Sequence, residues 1–150
     1  LFANFFLQRY NSDDAVGRLS MTNGELKHDH WGLIYSGGML VAIAQDLQIR
    51  AASGNDRSLD DLMRFMFNEY GDSAYELADI ERALGDLNNA SQEAFFARHV
   101  NGTERIEISR FLALAGIEIT EENGGTAIRV REDASPDTDA IRRGLFGAVY

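Results

Sequence analysis

Tyr35-Ser36-Gly37-Gly38-Met39-Leu40-Val41-Ala42-Ile43-Ala44-Gln45-Asp46-Leu47-Gln48-Ile49-Arg50-Ala51-Ala52-Ser53 is the stretch that decides the fold. After its two glycines it keeps one helical period. Leu40, Ile43, Leu47 and Ala51 recur three or four apart and share a face. Met39, Ala42 and Ile49 widen that face. Strongly polar side chains are confined to Gln45, Asp46, Gln48 and Arg50. The pattern predicts a central helix covered on most sides. Gly54 follows where a helix C-terminus favours a left-handed residue. Tyr35 then stands at the start of a buried helix, with its hydroxyl held in place by packing.

Working outward, residues 1–10 carry Phe2, Phe5, Phe6 and Tyr10 on one face of a short helix, and Asn11-Ser12-Asp13-Asp14 ends it. Residues 15–33 are irregular, with Gly17, Asn23-Gly24 and Gly32 as breakers. This long loop crosses toward the central helix, and loops of that length are more often functional than idle. On the other side, Ser58 and Asp61 form a capping box. Leu59, Leu62, Met63, Met66, Phe67 and Tyr70 then recur at helical spacing as core, with Gly71 closing the helix. Leu77, Ile80, Leu84 and Leu87 mark the next helix, from about Glu76 to Leu87. Ser91 caps another, with Phe95, Phe96 and Val100, ended by Asn101-Gly102. A short helix spans about Ser109 to Ala115.

The period then changes. Ile117 and Ile119 alternate with Glu118 and Thr120, and Ile128 and Val130 alternate with Arg129 and Arg131. Asn123-Gly124-Gly125 between them signals a β-hairpin over residues 117–131. Ser135-Pro136-Asp137 breaks it, and Asp139 to Phe146 forms a last short helix in a tail over residues 132–150. The expectation is a mainly α fold: a single domain over 1–150, about six helices in a bundle, and a small C-terminal β-hairpin.

Composition narrows the function classes. A chain of 150 residues with 45% hydrophobic residues and one proline can bury a core. Its net charge of −10, from 24 acidic and 14 basic residues, argues against nucleic acid and anionic membranes as partners. It has no cysteine, hence no disulfide and no thiolate metal site. No apolar run reaches bilayer length, and no targeting signal opens the chain. The first residue is not methionine, and the chain is read as a piece of a longer protein.

Few residues carry chemistry by themselves. His28-Asp29-His30 is the one histidine cluster, and no third ligand lies near it in sequence. No His-Glu-x-x-His occurs. Asn11-Ser12-Asp13-Asp14-Ala15-Val16 and Asp86-Leu87-Asn88-Asn89-Ala90-Ser91 both fail the calcium-loop pattern at the fifth and sixth positions. Gly37-Gly38 lacks the lysine and threonine of a phosphate loop, and Ser36 has no nucleophile-elbow context. Arg50 and Arg57 read as surface charges. Tyr35 stands out because two glycines follow it. Glycine weakens a helix start by about 1 kcal/mol relative to alanine, a cost tolerated where a backbone or ligand must come close.

Several ordered segments resemble one family. They are Tyr35-Ser36-Gly37-Gly38-Met39-Leu40, Asp46-Leu47-Gln48-Ile49-Arg50 and Arg57-Ser58-Leu59-Asp60-Asp61-Leu62-Met63, then the run from Ala94 to Glu104 and Phe111-Leu112-Ala113-Leu114-Ala115-Gly116. Together they are similar to the glycyl aminopeptidase family of zinc metallopeptidases, M61, over most of residues 1–131. Each segment alone is weakly specific, and their order and spacing carry the resemblance.

The resemblance implies the C-terminal helical part of a gluzincin-type aminopeptidase that cleaves peptides at their N-terminus. Tyr35 matches the family's transition-state-stabilising tyrosine. It implies zinc in the full-length parent, with its ligands in an upstream zinc-binding domain and none in this chain. This chain alone is then inactive. Residues 117–150 are too few for the PDZ domain of many members. Gly37 stands where other members have lysine. A different reading is a non-catalytic helical scaffold or interaction module of a degenerate peptidase. If the cut is artificial, Phe2, Trp31 and Leu33 form an exposed face through which the chain self-associates.

Overall fold

The computed structural model describes residues 2–122 and 125–147, the side chains of residues 3 and 4 excepted. It has the expected mainly α architecture with a small C-terminal hairpin. A π-helical stretch, Phe2–Leu7, runs into α1 (Gln8–Ser12). Turns and a short 3-10 helix (Gly24–Lys27) lead to a second π-helical stretch, Gly32–Ser36, which continues without a break as α2 (Gly37–Ala52). Then come α3 (Leu59–Tyr70), α4 (Leu77–Asn88), the short α5 (Glu93–Phe95) with a π-helical extension Phe96–Val100, and α6 (Ile108–Leu112). Strands β1 (Ile117–Glu122) and β2 (Gly125–Val130) precede α7 (Pro136–Phe146). Among the described residues, no helix is long and apolar enough to cross a membrane.

α2 is the axis of the fold because it serves two cores. Leu40, Ile43, Ala44 and Leu47 face one cluster, with Leu7 and Tyr10 from α1 and its lead-in, Ile108 and Leu112 from α6, and Ile141 from α7. Ile49, less than one turn beyond Leu47, belongs to the other cluster, with Leu62 and Met66 of α3, Leu84 of α4, Phe96 and Val100. Burying each large apolar side chain is worth about 1.5–3 kcal/mol, so one helix ties both halves. Tyr10 is 2% exposed, and its hydroxyl accepts the Ile106 N–H at 3.0 Å. Burial pushes its phenol pKa up, and that hydrogen bond opposes the rise.

Local signals behave as their backbone rules require. Gly54 has φ +62°, and the Asn55 N–H returns to the Arg50 carbonyl at 2.7 Å, closing α2 with a left-handed cap. The Ser58–Asp61 capping box forms at the start of α3. Gly116 is left-handed between the 3-10 turn Ala113–Ala115 and β1. In the hairpin, Ile119 pairs with Ile128 and Ile117 with Val130, so the apolar residues share one face. Of its expected turn, Asn123 and Gly124 lie outside the described residues.

Several expectations need correcting. Gly32 is no breaker: it lies inside the helix, and a Cβ there would collide with the Arg9 carbonyl oxygen and the Asp13 side chain. Gly71 closes α3 as expected, with right-handed backbone angles. The last helix starts at Pro136 and not at Asp139, behind the Ser135 cap, because the first turn needs no proline N–H. Ala51 is exposed. Met63 and Phe67, read as core, are 63% and 76% exposed, since the covered side of α3 runs along Leu59, Leu62, Met66 and Tyr70. Leu33 is 3% exposed, so it cannot belong to an open apolar face, while Phe2 and Trp31 are half-buried.

Candidate functional site

Asp13 builds the mount on which Tyr35 sits. It follows α1, and its carboxylate turns back over the start of the next helix. Oδ2 accepts the Leu33 N–H at 3.0 Å, and Oδ1 accepts the Ala15 N–H at 3.0 Å. His30 Nδ1 lies 3.1 Å from the same Oδ1. A helix leaves its first N–H groups without internal partners, and here a carboxylate from another helix supplies one. Burial works to raise the Asp13 carboxyl pKa, but the two backbone N–H groups and His30 outweigh it, so the group titrates below the ordinary carboxylate range. Beside this bond, Gly32 lets the backbones of α1 and the Gly32–Ser36 stretch meet. Gly37 packs a Cβ-less surface against Tyr10 and Met21. The two glycines after Tyr35 thus differ: Gly37 serves packing, and Gly38 faces open space.

Tyr35 itself is 47% exposed. Its ring is open to solvent because the helix begins at Trp31 and has turned Tyr35 outward before the covered part of α2. One side of the ring is held: Trp31 lies 5.3 Å away, centroid to centroid. Trp31 in turn packs edge-on against Phe5 at 5.4 Å and is stacked with Phe6 at 6.4 Å. The Arg9 guanidinium covers Phe5 at 4.5 Å and Trp31 at 5.0 Å, which adds cation–π attraction. Four rings and one cation therefore form a surface cluster with Tyr35 at its open end. The Tyr35 hydroxyl has no hydrogen-bond partner among the described residues. Tyr35 lines none of the three described cavities.

π-helical turns recur at functional sites, and Tyr35 lies in one. The described residues include three such stretches, so the geometry by itself is not specific.

The histidines separate. His28 is exposed, and His99 bonds the Glu104 carbonyl at 3.0 Å and packs on Phe95. His30 joins Asp13 and Asp14, with one ligand atom from each within 4.8 Å of the others. That group does not fit a gluzincin zinc site. It lacks the paired histidines, and both Asp13 oxygens already hold backbone N–H groups. Asp13 and Trp31 are the positioning residues that sequence reasoning missed; Asp13-Asp14 reads there as a helix stop and as a failed calcium loop.

Arg50 also departs from its reading as a surface charge. Its side chain is 13% exposed, ion-paired to Asp46 at 2.6 Å, and it donates to Asn55 Oδ1 at 2.9 Å. The matched run Asp46 to Arg50 therefore joins helices. Compared with known proteins, the chain matches no family model, no curated protein and no solved structure.

Proposed function

We propose that this chain is the helical part of an M61-like zinc aminopeptidase, in which Tyr35 donates a hydrogen bond to the oxyanion formed as a peptide bond is attacked. The observation that supports the reading is the setting of Tyr35: an accessible phenol whose hydroxyl has no hydrogen-bond partner among the described residues, on a helix start that Asp13 fixes to α1. A phenol stays neutral at working pH and offers one directed donor. A donor in place before the reaction begins needs no reorganisation as charge develops, and losing one such donor costs a factor of about 100–1,000 in turnover. Trp31 limits the ring's freedom on one side. The other side is free to meet substrate.

The residues of this chain do not fit the zinc of that family. When bound in such enzymes, zinc polarises the carbonyl and activates water. The ligands belong to an upstream domain in this proposal.

The test is Tyr35→Phe in the full-length protein. Peptide turnover should fall about 100-fold or more with zinc content unchanged. Unaltered turnover removes Tyr35 from the mechanism. A second reading, a non-catalytic interaction module, is favoured by the exposed Met63, Phe65 and Phe67 on α3. A parent polypeptide whose His-Glu-x-x-His is degenerate would decide for that module.

A further inference from the structure

We infer that the groove over Arg142 binds a small monocarboxylate with an apolar chain, on the scale of a medium-chain fatty acid. The groove lies between the Phe2–Leu7 stretch, α2, the hairpin and α7, and holds about 530 Å³, within the range of small-molecule sites. Phe6, Met39, Ile43, Ile128 and Val130 give it apolar walls. Met39 and Val130 are 38% and 47% exposed, so the rim is open.

Against these walls stands one buried cation. Arg142 is 7% exposed and lines the groove. A surface arginine buries its stem and keeps its head in water; here the head is sealed as well. Nη2 is ion-paired to Asp139, but Nε and Nη1 have no acceptor among the described residues. Asp139 is shared with Arg143, so two guanidinium groups divide one carboxylate and one positive charge is left over. The other charged residue of the lining, Arg129, is already paired with Glu122. No carboxylate lines the groove among the described residues.

Buried donors without acceptors are costly, more so on a charged group. A neutral apolar occupant would leave that cost in place, and a cationic one would add repulsion. A carboxylate supplies two acceptor oxygens and the missing charge, while its chain covers the apolar walls. The site is independent of the Tyr35 reading, because Tyr35 is not part of the groove.

The test is calorimetric titration of the 150-residue chain with hexanoate, octanoate and decanoate, and with 1-octanol and octyltrimethylammonium as matched controls. Octanoate should bind at least tenfold tighter than either control, and affinity should rise about three- to fourfold per added methylene. Arg142→Met should bring octanoate down to the level of octanol while leaving Tm unchanged or raised, since the orphaned donors are gone. Val130→Asp, a change on the exposed rim that leaves Arg142 in place, should weaken octanoate at least tenfold. It keeps the question open to experiment should Arg142→Met fail to fold. Octanol binding as tightly as octanoate would mean a purely apolar surface covered by something else, and would overturn the proposal. So would undetectable binding at every chain length, or octanoate affinity untouched by either substitution.

Discussion

Arg50 Nε donates to Asp46 Oδ2 at 2.6 Å across one turn of α2, and the two side chains are only 13% and 7% exposed. The same carboxylate uses Oδ1 to accept the Leu59 N–H at 2.8 Å, at the start of α3. Arg50 passes on through Asn55 to the Ala140 carbonyl of α7. Three helices are thus linked through one ion pair. Breaking such a pair from one side leaves a buried charge alone and costs about 3–5 kcal/mol. Asp46→Ala should lose about that much in urea unfolding. The double variant Asp46→Leu/Arg50→Met should lose less than Asp46→Ala alone. A single variant within about 0.5 kcal/mol of the unaltered chain would show that the pair is not a structural link.

A second polar device lies in the interior. Gln45 Nε2 donates to Gln92 Oε1 at 3.0 Å, and Asn88 Nδ2 donates to Gln45 Oε1 at 3.1 Å. Gln92 closes the chain on the Ala90 carbonyl, and Asn88 on the Leu84 carbonyl. This amide chain joins α2 to α4 and the turn after it. Gln45→Leu keeps the volume but strands an acceptor on Gln92 and reduces Asn88 to one contact. Each stranded buried group costs about 1–3 kcal/mol. The variant should unfold at lower urea with an unchanged m value, by about 2–4 kcal/mol in all. Equal midpoints would mean that water replaces the lost partners.

Asp13 makes the fold of the candidate site sensitive to acid. Its folded pKa lies below the unfolded one. Its stabilising contribution is therefore complete above the unfolded value of about 3.9 and is lost as pH falls through the folded value. Asp13→Asn removes that dependence and leaves one oxygen for two backbone donors. The stability difference between the unaltered chain and Asp13→Asn should shrink below about pH 4. Subtracting the variant removes the contribution of the exposed carboxylate–arginine pairs. Parallel curves down to pH 3 would contradict the assigned direction.

What could be read from residues alone follows the range of the forces involved. The face of α2, the hairpin alternation and the caps at Ser58 and Gly54 depend on neighbours within a few positions, and each appears in the structure. Asp13 reaching Leu33, and Asn55 reaching Ala140, are long-range contacts that no local period encodes. The histidine cluster shows the same limit: His30 is held by Asp13, just past the preceding helix, while His28 is exposed. Tyr35 was singled out by its glycines and by resemblance. Neither tells whether a ring points inward, and the ring is nearly half exposed.

The width of the α3 core face is the last such case, and it can be measured. Leu62 and Met63 are adjacent, and so are Met66 and Phe67. The spacing put all four on one apolar stripe, yet only Leu62 and Met66 are buried, at 6% and 9% exposure. α3 packs on α2 and α4 along a narrow seam, and among the described residues nothing covers its far edge. Leu62→Ala removes buried methyl groups and should cost about 2–5 kcal/mol through lost transfer energy and the cavity left behind. Met63→Ala and Phe67→Ala remove groups that water already reaches, so each should stay within about 0.5 kcal/mol of the unaltered chain. The comparison needs four urea titrations, the unaltered chain included. A loss at Phe67 as large as that at Leu62 would mean that this ring is covered in solution, and that α3 has a partner along its exposed edge.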